Sequence, residues 1–182
     1  MVNVFQGKTT ASQIGNSKYK FKPKDIQKAD KRFHEIGRQG EELVNEYLEK
    51  QKSLGLIREF EWFNKSHETG LPFDFLIDNH NYVDAKSTDS SFNRPIFFSG
   101  EEIIFASTLK NNTYSVFRVF DMKTDERKLR ICNNCTRYLL SISNSLSVFN
   151  SEVIKENSIL QTVKLGVDPG YCFTEVSDLI VL

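Results

Sequence analysis

Cysteine, proline and glycine are all scarce in this chain, at three, four and nine residues of 182, and tryptophan occurs once. Three cysteines cannot build the disulfide framework of a small secreted domain. Cys132 and Cys135 form a single C-x-x-C, Cys172 stands apart, and none of His34, His67 or His80 lies at paired spacing. A structural zinc site needs four ligands, so reduced thiols are the simpler expectation. Low proline and glycine exclude collagen-like and low-complexity chains. No run of about 18 apolar residues is present, which excludes a transmembrane helix. Residues 1–12 lack the apolar centre of a signal peptide, so a cytoplasmic protein without a membrane partner is expected. Net charge is also absent, with 24 basic residues against 24 acidic ones. At face value that balance argues against a nucleic-acid binder.

What is present is core material. Hydrophobic residues make up 39% of the chain, including 15 Phe and 6 Tyr, which suits one globular domain. The charge balance holds only in sum. Residues 1–38 carry nine basic and three acidic side chains, a net of +6, and the remainder is −6. A basic arm of this kind suits a polyanion, because binding releases condensed counterions; a solvated tail has the same composition. The arm is assigned to residues 1–29 and a single domain to 30–182. Pro23 within its alternating lysines predicts an extended segment there.

Residues 30–52 predict the first helix. Ile36, Gly40, Leu43, Val44, Tyr47 and Leu48 recur at spacings of three, four and seven, and Gly55 is placed to stop it. Glu41 falls at the margin of this stripe and Glu42 on the solvent side. Gly37 and Gly40 are poor helix formers, so their use predicts close approach of the helix to a sheet. Strands are expected over 56–64, 71–78 and 82–86, with turn material at 78–81. Ser99 and Glu102 make a capping-box pattern for a helix over 100–110. Residues 113–120 and 127–132 read as strands, 136–157 show no clear period, and short extended pieces follow over 158–167 and 171–182. The order of helix, three strands, helix and strand predicts an α/β fold with one central mixed sheet.

The chemistry concentrates in Leu71-Pro72-Phe73-Asp74 and Asp84-Ala85-Lys86. Asp84 and Lys86 are two apart on a strand and share a face. An odd-numbered turn centred on Asn79 sets Asp74 opposite Asp84, and one centred on His80 sets it opposite Lys86. A two- or four-residue turn sends Asp74 to the far face. Two carboxylates beside a lysine suit a hard divalent cation, which activates water and neutralises charge on a phosphate. The lysine ammonium would then orient the attacking water. Solvated hairpin charges are the plain alternative. Glu41 reads either as a further ligand or as a surface ion pair, and Glu102 is accounted for by its cap.

These residues resemble the PD-(D/E)xK nuclease superfamily. More narrowly, they are similar to the domain found at the C-terminus of the plant NO VEIN protein and in bacterial defence-associated proteins. The helical G-x-x-G-E matches Gly37, Gly40 and Glu41, and the first Asp matches Asp74. The E-V-K-[ST]-[ST] strand matches Asp84-Ala85-Lys86-Ser87-Thr88, with Asp for the usual Glu and Ala for Val. Phe98, Ser99 and Glu102 match the second helix start, and Tyr114 and Arg118-Val119 the next strand. The resemblance covers roughly residues 33–132, leaving 133–182 as an extension. It implies a restriction-endonuclease-like core of order αβββαβ. It also implies a Mg²⁺-dependent DNA endonuclease in which Mn²⁺ substitutes. Asp74, Asp84, the Ala85 carbonyl and Glu41 would hold the metal, and Lys86 would be catalytic. Lys18, Lys20, Lys22, Lys24, Arg94 and Arg118 would contact DNA phosphates. The partners implied are DNA and a second copy of the chain or a larger defence or repair assembly. A binding module without activity on the same fold is the competing reading.

Overall fold

The computed structural model describes residues 23–153, 164–172 and 176–182, and side chains within 31–145, 164–170 and 176–182. Lys18, Lys20 and Lys22 lie outside them. The chain divides into two compact units, 1–34 and 35–182, and helix α1 (Pro23–Ser53) crosses that boundary. The helix therefore starts seven residues before the expected position. Proline has no N–H to lose at a first helical position, and its fixed φ suits one. Lys24 stands in that first turn.

In the larger unit, six strands form one mixed sheet, in the order β1 (Phe60–Trp62), β2 (Phe75–Ile77), β3 (Asn81–Ser87), β5 (Thr113–Phe120), β6 (Lys128–Cys132) and β8 (Ile180–Val181). Among the described residues only β3 and β5 run parallel; every other neighbouring pair of this sheet is antiparallel. Such a parallel pair needs a crossover. Here the crossover contains β4 (Ile96–Ser99) and α2 (Gly100–Thr108). The expected α/β architecture with a mixed central sheet is present. One strand, β4, is additional, and it pairs with β7 (Lys164–Val167) in a separate two-stranded sheet. Ile96-Phe97-Phe98 alternates buried, exposed, buried, which is the period of a strand.

Each face of the large sheet has its own core. Val44 and Leu48 of α1 pack against Phe75, Ile77, Val83, Phe117, Val119 and Leu129 on one face. Full burial of such a side chain is worth about 1.5–3 kcal/mol. On the other face, Ile103 and Ala106 of α2 and Leu139 of α3 (Thr136–Val153) pack on Tyr114 and Val116. The aperiodic reading of residues 136–157 is therefore corrected to a helix over Thr136–Val153, and the rest of that span lies outside the described residues. Its apolar residues Tyr138, Leu139 and Ile142 do fall at helical spacing, diluted by serines and asparagines. A short helix, α4 (Pro169–Cys172), follows β7.

α1 ends as expected at Gly55, whose φ is +70°. The Gly55 N–H donates to the Lys52 carbonyl and Leu56 N–H to that of Gln51, the two bonds of a Schellman cap. Gly40 is buried against β3. A Cβ added there would lie 1.6 Å from Ser87 Oγ, so only glycine fits this approach. Gly37 differs: a Cβ there meets nothing within 4 Å, and the expected close contact does not extend to it.

Candidate active site

The hairpin between β2 and β3 pairs Ile77 with Asn81 and Phe75 with Val83. Its turn is residues 78–80, an odd number centred on Asn79. Continuing the register by one step brings Asp74 level with Asp84. Asp78 and Asn79 adopt φ of 50° and 61°, a left-handed conformation that Asp and Asn tolerate. The Asp78 carboxylate fastens the turn by accepting from the N–H groups of Arg58 (2.8 Å) and Glu59 (3.0 Å).

Asp84 and Lys86 lie on the face covered by α2 and α3, level with Val116 and Arg118 of β5. Asp84 is 4% exposed. Its Oδ2 accepts from Tyr114 Oη at 3.0 Å and pairs with Lys86 Nζ at 2.8 Å. Lys86 Nζ also donates to Glu102 Oε1 at 2.8 Å. Glu102 therefore does two things. It closes the capping box through Ser99 N–H, and it brings a third carboxylate to the lysine. The Ser99-x-x-Glu102 pattern was legible as a cap, while its second partner depends on a strand 16 residues away.

Asp74 is held from two sides. Its Oδ1 accepts from Asn64 Nδ2 at 2.8 Å and its Oδ2 from the Ala85 N–H at 2.7 Å. Asn64 is buried, and its Oδ1 accepts from both the N–H and the hydroxyl of Thr69. A backbone N–H can only donate, so the Asn64 amide must turn its NH₂ to Asp74. No sequence motif marks Asn64 or Trp62, and the family pattern includes Tyr114 without its bond to Asp84. Glu41 is turned inward at the edge of α1 and accepts from Trp62 Nε1 at 3.0 Å. Arg38 stacks on the same indole at 4.4 Å and donates to the carbonyls of Asn64 and Lys65.

The carboxylates raise one another. Burial pushes Asp84 up to about 8, against the pull of Lys86 and with the help of Glu102 and Asp74. Burial also pushes Asp74 up to about 7, reinforced by Glu41 and opposed by the Ala85 N–H and Lys86. Glu41 is raised as well, chiefly by burial. Burial alone would lower Lys86, but Asp84 and Glu102 outweigh it, and the ammonium stays charged. A stability prediction follows. Between the ordinary aspartate value of 3.8 and about 7–8, the folded state binds more protons than the unfolded chain. This contribution is therefore fully present below about pH 4 and is lost as pH rises through 7–8. Urea midpoints should fall from pH 5 to pH 8, and Asp84→Asn should flatten that fall. An unchanged slope in the variant would contradict it.

Oxygen donors around a surplus of negative charge suit a hard cation. Two carboxylates, Asp84 and Glu102, contact the one ammonium, Asp74 and Glu41 add further negative charge nearby, and two aspartates with a backbone carbonyl would leave further positions to water, as Mg²⁺ prefers. Among the described residues, no group of three or more His, Cys, Asp or Glu side chains is gathered to hold a metal ion by itself. Ala85 is half-buried.

Arg118 is 3% exposed and lies beneath the surface rather than on an open face. Its Nη2 donates to the Arg94 carbonyl at 3.1 Å, while the Arg94 residue is exposed. Cys132 and Cys135 are buried, and Cys135 Sγ donates to the Cys132 carbonyl. No helix among the described residues is long and apolar enough to cross a membrane.

Neither the curated proteins nor the solved structures contain a match to this chain. The family model described as protein NO VEIN, C-terminal, matches residues 40–132, about half of the chain. That span contains Glu41, Asn64, Asp74, Asp84, Lys86, Glu102 and Tyr114. The chain belongs to the protein NO VEIN C-terminal family.

Proposed function

We propose that this protein is a Mg²⁺-dependent DNA endonuclease of the PD-(D/E)xK type, acting in restriction, defence or repair. One observation carries the reading: the hairpin register brings Asp74 level with Asp84, and Lys86 stands between Asp84 and Glu102. Asp74, Asp84 and the Ala85 carbonyl would hold the ion, with Glu41 as an outer or direct ligand. When bound, the metal supplies an activated water and neutralises charge on the phosphate. The protein groups do the rest. Asn64 and the Ala85 N–H fix the Asp74 carboxylate. Tyr114 fixes Asp84 from the other side. Glu102 keeps hold of Lys86 Nζ when Asp84 is engaged elsewhere, so the ammonium remains near the attacking water. Lys24 and the lysines before it would add sequence-independent attraction to the DNA backbone.

Incubation of the full chain with supercoiled DNA should give nicked or linear product with Mg²⁺ or Mn²⁺. EDTA should prevent it, and Asp84→Asn should lower it at least 100-fold. Equal product in EDTA would overturn the assignment. A second reading, a binding module without cleavage, is favoured by the direct Lys86–Asp84 pair, which places a cation of the protein's own on one proposed ligand. DNA binding without any metal-dependent cleavage would select it.

A further inference from the structure

The face that carries Asp84 and Lys86 also carries two arginines. Lys86 is the cross-strand partner of Arg118, and Arg118 is the partner of Arg130. Adjacent strands lie about 4.8 Å apart, so the three side chains start as neighbours. Their counterions differ. Lys86 has two carboxylates. Among the described residues, neither arginine has one, and the Nε of each is buried without a hydrogen-bond partner.

Arg118 is the more exacting case. Among the described residues its one acceptor is the Arg94 carbonyl, which Nη2 meets. Burial pushes its pKa down to about 10; the like charge of Arg94 adds to this and Cys132 opposes it. Arg130 rests its guanidinium 4.9 Å from the Phe92 ring centre. Phe92 and Arg94 belong to one segment, residues 88–95, which contacts both arginines. Burying a guanidinium without an anion is costly, and native proteins normally supply a carboxylate. Here the segment supplies a carbonyl, an aromatic face and another cation.

We propose that Arg118, with Arg94 and Arg130, forms a phosphate-binding subsite one strand away from Lys86. The planar guanidinium fork matches a tetrahedral oxyanion and donates to two of its oxygens. Arg94 is the entry side, because it is exposed and its carbonyl accepts from Arg118. A phosphate arriving there replaces the Arg94 carbonyl as the acceptor of Arg118 and gives the orphaned Nε groups a partner. The inference rests on the nuclease reading for the source of that phosphate, a nucleic-acid strand, whereas the subsite itself needs neither metal nor turnover.

The test follows the ¹⁵N-labelled arginine Nε–Hε resonances of the full chain in EDTA, at constant ionic strength, as inorganic phosphate is added. Saturable shifts at Arg118 and Arg130 are expected, with chloride giving none. Arg130→Gln and Arg118→Lys should each weaken phosphate binding at least tenfold, the second keeping the charge and losing the fork. Parallel additions of a DNA oligomer with and without a 5′-phosphate distinguish a terminal phosphate from a backbone phosphodiester. The same resonances responding to both assigns the backbone. No saturable shift in the wild type, an equal response to chloride, or undiminished binding by both variants would overturn the subsite. Cleavage without these shifts would remove the subsite and leave the nuclease; shifts without cleavage would do the reverse.

Discussion

On the proposed nuclease function, Lys86→Met should lower Mg²⁺-dependent cleavage by about 10²–10³-fold, the usual loss when one preorganised charge facing a transition state is removed. It also weakens the fold. Lys86 is the cation between Asp84 and Glu102, and its side chain is 18% exposed. Removing one partner of a buried ion pair costs about 3–5 kcal/mol, because the other charge stays behind. Methionine keeps most of the volume, so the loss is electrostatic. It should be largest at pH 8 and above and shrink toward pH 5, where Asp84 takes up a proton. Single-turnover cleavage and urea denaturation at both pH values measure the two effects separately. Wild-type cleavage by the variant would remove Lys86 from the chemistry. A pH-independent stability loss would remove the account of its two carboxylates.

Gly40→Ala should destabilise the protein by about 2 kcal/mol, the scale of overpacking a closed contact. Alanine is otherwise the better helix former by about 1 kcal/mol, so the sign itself is diagnostic. The new Cβ would lie 1.6 Å from Ser87 Oγ and 2.6 Å from Ser87 Cβ. Rotating the serine moves only its oxygen; the Cβ clash forces helix and strand apart. Ser87→Gly in the same chain should restore most of the loss, since Ser87 Cα is an ordinary 3.8 Å away. Chemical denaturation of the two singles and the double gives the coupling directly. A double variant no more stable than Gly40→Ala would show that the helix does not touch β3 there. The contact has functional reach, because Glu41 follows Gly40 and Ser87 follows Lys86.

The hairpin was legible from local chemistry. Asp78-Asn79-His80 is a turn whose first two residues take positive φ; alternation set Asp84 and Lys86 on one face, and the three-residue turn centred on Asn79 is what brings Asp74 level with Asp84. The α1 stripe was legible for the same reason, since its periodicity is strong from Ile36 to Leu48. β4 and α3 were harder. β4 is four residues long, and its partner β7 is nearly 70 residues away. In α3 the polar residues obscure the few buried positions. Within the site, the aspartates and the lysine could be read from spacing, but not their partners. Asn64, Tyr114 and the second role of Glu102 exist only once distant segments meet. The burial of Arg118 was not legible for a related reason: arginine usually stays at the surface, and the hydrogen bond to the Arg94 carbonyl shows this one covered by the segment that contains Arg94.

The most direct measurement is a crystal structure grown with Mn²⁺, with anomalous scattering to locate the ion. The account predicts a Mn²⁺ peak bound by Asp74 and Asp84, with Lys86 Nζ moved off Asp84 and still held by Glu102. No peak at saturating Mn²⁺, with Lys86 still paired to Asp84, would contradict the metal-dependent nuclease.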